Sequence, residues 1–196
     1  MLETRETSRE RVLRVATQLF ATQGYHATGM KDLEKASGLG RSSLYHQFPS
    51  KEALLFAIIT PYLRELIAFG NKLLDTEMPA RQRLRELSRG VMRCITENLA
   101  ATTICFREIH AVTGEHKAEL LALHREYEQI WSRVLQAGVD EGAFRRADGL
   151  AVKALLGMHH YSYLWLRTDG PGTPEEIADS FCDLLRDGML STPPPR

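Results

Sequence analysis

Side chains that can form hydrogen bonds with nucleic acid lie on one face of a short segment near the N terminus, from residue 40 to 48. At helical spacing its outward positions are Arg41, Ser42, Ser43, Tyr45, His46 and Gln47. The inward positions Leu44 and Phe48 are four residues apart, so a helix places both on one apolar face. Guanidinium, hydroxyl and imidazole groups can contact base edges and phosphate oxygens. The pattern indicates a surface for recognition rather than for catalysis.

A second short helix is predicted just before this segment. Met30 and Leu33 lie at helical spacing, and Thr28 is expected to cap the N terminus of the helix. Gly38 then suits the left-handed backbone of a tight turn. Two short helices joined by such a turn, at about residues 31–50, have the pattern of a helix-turn-helix.

Together with its flanks, this stretch resembles the TetR family of transcriptional regulators. The resemblance is specific over roughly residues 8–68, and beyond them it concerns only the helical architecture. The matching residues are Ala16, Leu19, Phe20, Gly24, Tyr25, Thr28, Asp32, Leu33, Ala36, Gly38, Leu44, Tyr45, Phe48, Ser50, Lys51, Glu52 and Leu55. Two positions depart from the family pattern: Gly40, where a capping serine is common, and Glu34, where a small residue is usual.

The resemblance implies an all-α fold with two domains. A three-helix, helix-turn-helix DNA-binding domain is expected at residues 8–68, and a larger effector-binding and dimerisation domain at residues 70–190. The implied function is that of a ligand-responsive transcriptional regulator. We expect a repressor that binds a palindromic DNA operator as a homodimer and is released by a small hydrophobic, acyl or aromatic effector.

Eight residues are predicted to contact DNA: Thr28, Lys31, Arg41, Ser42, Ser43, Tyr45, His46 and Lys51. The base-edge readers are expected to be Arg41, Ser42 and Ser43, because an arginine can form two hydrogen bonds with guanine. The resemblance supports contacts with the DNA backbone by Thr28, Tyr45, His46 and Lys51. Lys51 is also expected at a helix N terminus, where phosphate is favoured.

Some polar residues near this motif have two open interpretations. Tyr45 could pack onto the first helix instead of reaching DNA. Arg5 and Arg9 lie off the apolar stripe of the first helix, where they could contact phosphate or face solvent.

Periodic apolar residues predict further helices along the chain. Their expected limits are about 8–23, 51–69, 80–99, 102–112, 115–141, 150–167 and 175–189. Pro61 interrupts the second of these, and the sequence leaves open whether it kinks one helix or begins another. The last two helices carry more apolar surface than one small core would cover, which predicts self-association. In the TetR family the corresponding helices form a four-helix dimer interface.

Apolar and aromatic residues of the C-terminal region are the candidate lining of an effector pocket. They are Met92, Ile95, Phe106, His110, Tyr127, Trp131, His159, Tyr161 and Trp165. Such residues with a few polar tips suit a hydrophobic, aromatic or acyl ligand. A stripe of this kind is also what a plain hydrophobic core requires, so both interpretations stay open.

Net charge does not by itself mark the chain as a nucleic-acid binder. Lys and Arg number 25, and so do Asp and Glu. Residues 1–52 carry eight basic and six acidic side chains, a net charge of +2. We therefore expect DNA affinity to depend on individually placed contacts in a dimer rather than on a broad basic field.

Composition and motifs exclude several other classes of protein. The three cysteines are far apart without a CxxC pair, which predicts a reduced cytoplasmic protein, although redox sensing at Cys94 or Cys105 stays open. Charges interrupt the apolar runs, so no membrane association is predicted. The motifs of phosphate-binding loops, serine hydrolases and zinc proteases do not occur. No enzymatic activity, cofactor or metal site is therefore predicted.

Two rival classes remain. One is a helical protein-interaction dimer without sequence-specific DNA binding. The other, weaker one is an enzyme of small-molecule metabolism that retains a vestigial DNA-binding fold.

Overall fold

The computed structural model describes residues 6–167 and 169–187, and within these ranges the secondary structure is helical without strands. The α-helices are α1 (Ser8–Gln23), α2 (Met30–Ser37), α3 (Arg41–Gln47), α4 (Lys51–Ile59), α5 (Pro61–Leu74), α6 (Ala80–Glu97), α7 (Leu99–Glu108), α8 (Gly114–Asp140), α9 (Gly149–His160) and α10 (Pro174–Asp187). Short 3-10 turns follow α7 at Ile109–Ala111 and α9 at Tyr161–Leu164. The predicted all-α fold is confirmed. Arg5 and the predicted end of the last helix at Met189 lie outside the described residues.

Two compact units make up the described chain. The first unit contains residues 6–64 and Asn98–His124, and the second unit contains Glu65–Glu97 and the chain from Arg125 onwards. The separation in α5 lies close to the predicted domain boundary near residue 69. The segment Asn98–His124 packs with the N-terminal helices in the first unit, and the predicted domain limits stay a prediction.

Helix α1 is the centre of the first unit. It begins with a capping box, in which the Thr7 hydroxyl accepts from the Glu10 amide and the Glu10 carboxylate accepts from the Thr7 amide. Its buried face carries Val12, Ala16 and Phe20, and it packs against α2, α4 and α7. The apolar stripe predicted for residues 8–23 is therefore the side of α1 that faces the core.

Helix α4 ends where the sequence showed a proline. The bend at Thr60 separates α4 from α5, and Pro61 is the first residue of α5. This position tolerates proline because the first amides of a helix have no partner within the helix. Of the two alternatives left open at Pro61, the structure adopts the start of a new helix.

Helix α9 is shorter than predicted. It ends at His160 instead of continuing to residue 167, and a 3-10 turn replaces its last part. The turn buries Ser162, whose hydroxyl contacts the Met92 sulfur at 3.9 Å, while Tyr161 remains 64 % exposed. A continued α-helix would have been apolar on nearly every side, and the turn avoids the need to cover all of them.

In the second unit, α6 and α10 are joined by a ladder of ion pairs. Arginines at every fourth position of α6 face acidic residues at every fourth position of α10: Arg85 with Asp183, Arg89 with Asp179, and Arg93 with Glu175. Arg89 binds both carboxylate oxygens of Asp179, at 2.8 and 2.6 Å. This hydrogen bonding lowers the pKa of Asp179 below its ordinary value. The ladder sets the register of the two helices.

A buried polar pair connects α6 to α9. The His159 ring lies 2.8 Å from the Leu155 carbonyl through Nδ1 and 2.6 Å from the Ser88 hydroxyl through Nε2. Because a carbonyl only accepts, Nδ1 carries the proton and Nε2 accepts from Ser88. Burial of the ring lowers the pKa of His159 to about 4. Neutral histidine is thus part of the folded core.

One stretch of the described chain has the length and composition of a membrane span. It is Lys51–Leu74, which is 24 residues long; its most apolar 18-residue window has a mean hydropathy of 1.5, and 56 % of that window is buried inside the structure. The core helix of a soluble protein passes the same test. Charged residues such as Arg64 and Glu65 are the reason why the sequence alone did not indicate a span.

We predict that His159 makes the fold sensitive to acid. Its pKa is lower in the folded state than the ordinary value of about 6.5, so its contribution to stability is complete above that pH and is lost as the pH falls towards 4. The loss should reach about 3 kcal/mol. Urea unfolding at several pH values should show a shallower acid dependence for His159→Gln than for the unsubstituted protein.

The control for this prediction is His110→Gln, which removes an exposed histidine of the first unit. Equal acid dependence in all three proteins would show that His159 is not a neutral core residue.

Candidate nucleic-acid interface and effector unit

The turn between α2 and α3 has the geometry that its glycines predict. Gly38 adopts the left-handed conformation with φ of 70°, and its amide donates to the Glu34 carbonyl at 3.1 Å. Gly40 occupies the N-cap of α3 without a side chain that could cap it. Helix α3 thus begins after a tight turn, as in the predicted helix-turn-helix.

Helix α3 presents its polar face to solvent. Leu44 and Phe48 are buried, as predicted, and anchor α3 in the first unit. The predicted contact residues of its outer face, Arg41, Ser42, Ser43, Tyr45 and His46, are all exposed, and so is Lys31 on α2. The Tyr45 ring is 39 % exposed and lies 5.6 Å from the Arg41 guanidinium. Their contacts with DNA stay predictions.

The prediction that Thr28 caps α2 is wrong, whereas its contact with DNA stays a prediction. Its hydroxyl donates to the Gly24 carbonyl at 2.9 Å and its side chain is fully buried. Gly29 is the N-cap of α2, and its amide donates to the Asp32 carboxylate at 2.8 Å. The Thr28 hydroxyl therefore closes the preceding loop in this structure.

Lys51 also points into the first unit instead of towards phosphate. Its ammonium donates to the carbonyls of Tyr25 and Thr28, at 2.9 and 3.0 Å. The same ammonium lies 4.4 Å from the centre of the Tyr25 ring, where a cation is attracted by the aromatic face. Lys51 thus holds the loop between α1 and α2 in this structure, and its contact with phosphate stays a prediction.

The arginines of α1 differ in their surroundings, and the two alternatives for Arg9 stay open. Arg11 and Arg14 pair with Glu6 at 3.8 and 2.8 Å. The Arg9 guanidinium lies 5.0 Å from the centre of the Phe48 ring, at the end of α3. Arg9 therefore adds a positive charge beside α3, whereas Arg5 lies outside the described residues.

Five of the nine predicted effector residues lie in the interior of the second unit: Met92, Ile95, Tyr127, Trp131 and His159. The Trp131 ring lies 4.9 Å from His159 and 6.4 Å from Tyr127, measured between ring centres. His160, which sequence reasoning did not select, lies 3.3 Å from the Tyr127 hydroxyl. Burial raises the pKa of Tyr127, so its hydroxyl stays protonated.

The other four predicted effector residues do not join this buried group. Phe106 and His110 belong to the first unit, since α7 packs on α1. Tyr161 and Trp165 are 64 % and 50 % exposed, because α9 gives way to the 3-10 turn. Periodicity identified apolar positions correctly but could not show which of them the chain brings together.

An open cleft of about 1140 Å³ is present elsewhere in the second unit. None of the nine predicted effector residues lines it. Its arginines, Arg81, Arg85, Arg145, Arg146 and Arg186, come from three separate parts of the sequence. The sequence shows these arginines, but their spacing does not indicate that they line one cleft.

The positions of the described side chains give little support to a metal site or to redox sensing by a cysteine. Among the described residues, no three His, Cys, Asp or Glu side chains are placed to hold a metal ion. Cys94 and Cys105 are buried, and burial raises the pKa of the Cys105 thiol. A raised pKa lowers the fraction of reactive thiolate.

Comparison with known proteins shows that this chain is a helix-turn-helix regulator. Residues 12–58 match the family model described as "Bacterial regulatory proteins, tetR family", and residues 77–189 match "Tetracyclin repressor-like, C-terminal domain". The chain belongs to the TetR family. The family is one of transcriptional regulators, and the predicted ligand-responsive DNA-binding regulator is thereby confirmed.

Individual relatives match over almost the whole chain. The transcriptional repressor KstR2 of Rhodococcus jostii (strain RHA1) is 30 % identical over 186 residues, which cover 93 % of this chain and 91 % of KstR2. The structure of PfmR from Thermus thermophilus is 34 % identical with a TM-score of 0.86, covering 92 % of this chain and 100 % of PfmR. AibR, solved with isovaleryl coenzyme A and operator DNA, is 26 % identical with a TM-score of 0.79, covering 91 % and 97 %.

We predict that Lys51→Met weakens the first unit without removing a phosphate contact. The substitution removes the side-chain donor from both carbonyls and leaves the Tyr25 carbonyl with only the Thr28 amide at 3.3 Å, which should cost about 1–2 kcal/mol of unfolding free energy. The dependence of DNA affinity on salt should keep its slope. Thermal unfolding and DNA titrations at several salt concentrations measure the two effects.

The matched variant is Lys31→Met, which removes an exposed lysine of the same unit. It should leave the unfolding temperature nearly unchanged and reduce the salt slope by about 1.8, because each of the two subunits loses one phosphate contact worth about 0.9. A reduced slope for Lys51→Met with unchanged stability would restore the phosphate contact that the sequence predicted.

Proposed function

We propose that this protein is a cytoplasmic repressor without enzymatic activity that binds a palindromic operator as a homodimer. The observation that carries the proposal is the orientation of α3. Its apolar side is buried through Leu44 and Phe48, and its polar side is exposed through the residues that can read DNA. The similarity to KstR2, which is named as a transcriptional repressor, supports repression rather than activation.

In this proposal the polar face of α3 enters the major groove. Arg41 forms two hydrogen bonds with guanine, and Ser42 and Ser43 contact neighbouring base edges. Tyr45 and His46 contact phosphate oxygens on either side and fix the orientation of the helix on the duplex. Lys31 adds a phosphate contact from α2, and Arg9 lies close enough to the end of α3 to add positive charge there.

A homodimer accounts for the apolar side chains that the second unit leaves exposed. Leu150 on α9 is 68 % exposed, and Leu184 and Leu185 on α10 are 40 % and 47 % exposed. Contact between equivalent patches of two copies gives a symmetric pair. Such a pair presents two copies of α3 about 34–36 Å apart, or a multiple of that spacing, which requires an operator with two half-sites.

The second unit binds the effector in this proposal. A small hydrophobic, acyl or aromatic molecule favours an arrangement of the two subunits in which the α3 spacing no longer fits the operator. Coupling free energies of this kind are about 1–3 kcal/mol. The similarity to AibR, solved with both isovaleryl coenzyme A and operator DNA, supports an acyl compound.

The decisive experiment is selection of DNA from a random duplex pool by the purified protein, followed by sequencing. An enriched palindrome is the expected result at about 150 mM salt, where non-specific binding is weak. Absence of enrichment, repeated after unfolding and refolding to remove any bound effector, would favour the helical protein-interaction dimer instead.

We predict that Arg41→Ala changes sequence specificity. Loss of two hydrogen bonds to one base should cost about 1–3 kcal/mol and relax the preference at one position of each half-site. Tyr45→Phe should instead weaken binding to all sequences alike, because it removes a contact with the DNA backbone. Titration of the selected operator and of single-base variants distinguishes the two effects.

Arg133→Ala provides a control with the same change of charge, since Arg133 is exposed on α8 in the second unit. The assignment of Arg41 to a base contact would be wrong if Arg41→Ala and Arg133→Ala had the same sequence preference as the unsubstituted protein.

A further inference from the structure

Helix α4 begins with two charged residues, Lys51 and Glu52, which bind different neighbours and are here called the α4 junction. The Lys51 ammonium donates to two carbonyls of the loop between α1 and α2. The Glu52 carboxylate accepts from the Thr113 amide at 3.3 Å, just before α8, and lies 2.9 Å from Nδ1 of His116 in the first turn of α8. The first turn of α4 thus connects the helix-turn-helix with the start of α8.

The His116 ring is held on both its edge and its face. Because an ionised carboxylate only accepts, Nδ1 of His116 carries the proton and donates to Glu52. The face of the ring stacks on Phe56, one turn further along α4, with 4.2 Å between ring centres and 15° between ring planes. The Glu52 side chain is only 22 % exposed, so water competes little for its hydrogen bonds. The two contacts fix the start of α8 against two successive turns of α4.

The connection between α3 and α4 is as short as a single residue. Phe48 is the C-cap of α3 and Ser50 is the N-cap of α4, so that only Pro49 separates the two caps. Phe48 is buried, the φ angle of Pro49 is restricted by its ring, and the Ser50 hydroxyl accepts from the Ala53 amide at 2.9 Å. Helix α3 therefore cannot change its orientation unless the first turn of α4 moves with it.

Helix α8 belongs to both units of the chain. Its residues Gly114–His124 are part of the first unit, and its residues from Arg125 onwards are part of the second unit. In the proposed homodimer, the second unit carries the exposed leucines that meet the partner. A contact that holds α3 on the start of α8 thus holds it on a helix that continues into the dimerising unit.

From these contacts we propose that Glu52 is a positioning residue for DNA recognition, which sets the separation of the two half-sites that the homodimer accepts. Through the Thr113 amide and the His116 ring, Glu52 holds α4, and with it α3, in one orientation on the start of α8. The inference rests on the proposed function in one respect, that a homodimer binds two half-sites.

Half-site separation is a sensitive measure of how firmly α3 is held. One base pair added between the half-sites moves one of them by about 3.4 Å and rotates it by about 35° around the duplex axis. A firmly held α3 cannot follow this displacement, so the protein rejects the altered operator. A loosely held α3 can follow it, so the protein accepts a wider range of separations.

Direct contact between Glu52 and DNA is a poor alternative explanation of such an effect. Both oxygens of the carboxylate lie within hydrogen-bonding distance of groups at the start of α8. A carboxylate beside the DNA backbone would also be repelled by the phosphates, which carry the same charge. Glu52 should therefore influence the separation of the half-sites and leave the base sequence within each half-site unchanged.

We predict that Glu52→Ala broadens the range of half-site separations that the protein accepts. Fluorescence anisotropy titrations would use the selected operator and operators with one base pair added or removed between the half-sites. The preference for the selected separation should fall by about three- to tenfold, as expected for the loss of one or two hydrogen bonds. Glu52→Gln keeps an oxygen that can accept from the Thr113 amide, so it should retain most of the preference.

A second variant tests the same contact from the side of α8. His116→Phe keeps a ring that can stack on Phe56 but removes the Nδ1 donor, so it should also reduce the preference for the selected separation. It provides the same test if Glu52→Ala does not fold.

Two controls separate positioning from charge and from stability. Glu119→Ala removes another carboxylate of α8, which pairs with Arg64 on α5 instead of with α4. Ile104→Val removes a methyl group from the buried side of α7 in the same unit and lowers the unfolding temperature. Both controls should keep the separation preference of the unsubstituted protein.

Amide hydrogen exchange of the free protein tests the contact without DNA. Glu52→Ala and His116→Phe should each speed exchange in α3 and in the loop between α1 and α2, because these segments lose their connection to α8. Glu119→Ala should leave the exchange of both segments unchanged.

Three results would overturn the proposal. The first is an unchanged separation preference in both Glu52→Ala and His116→Phe, and the second is an equal loss of preference in Ile104→Val, which would assign the effect to stability alone. The third is a changed base sequence within the half-site selected by Glu52→Ala, which would indicate a direct base contact. In each of these cases the unsubstituted protein still selects an operator, so the repressor function stands.

Failure of the proposed function has a different outcome. If the unsubstituted protein selects no operator, the repressor function fails, and the role of Glu52 in half-site separation fails with it. Faster exchange in α3 of Glu52→Ala would then still show that Glu52 holds this helix in place.

Discussion

Burial of Leu44 and Phe48 is the interaction on which the DNA-reading surface depends. Helix α3 has only seven residues, and a helix of that length is not stable alone in water. Its N-cap is Gly40, which offers no side chain to stabilise the first turn. The two apolar side chains therefore hold α3 in its helical conformation and, by occupying its inner side, also direct its polar side chains outwards.

The support for α3 extends well beyond the helix-turn-helix. Glu52, next to Lys51 at the start of α4, lies 2.9 Å from the His116 ring at the start of α8. That ring stacks on Phe56 with 4.2 Å between ring centres, and His26 in the loop after α1 lies 3.3 Å from Glu108 on α7. Side chains from the middle of the sequence thus brace the N-terminal helices. This explains why Asn98–His124 belongs to the first unit.

The sequence predicted the features that depend on neighbouring residues, such as helix limits and turns. It missed the features that depend on contacts between residues far apart in the chain. The limits of α1, the turn at Gly38 and the inner face of α3 follow from spacing of three or four residues and from one glycine, so they were foreseeable. The orientation of Lys51 depends on the carbonyls of Tyr25 and Thr28, more than twenty residues earlier in the chain. The early end of α9 depends likewise on space beside Met92 for Ser162. Periodicity contains no information about such partners.

Contacts between residues far apart in the chain also decide where an effector can bind in the second unit. Met92, Ile95 and Trp131 are completely buried against their neighbours, so a ligand among them must first displace large side chains from a packed interior. Opening a space of that kind costs several kcal/mol, because every displaced side chain loses contacts.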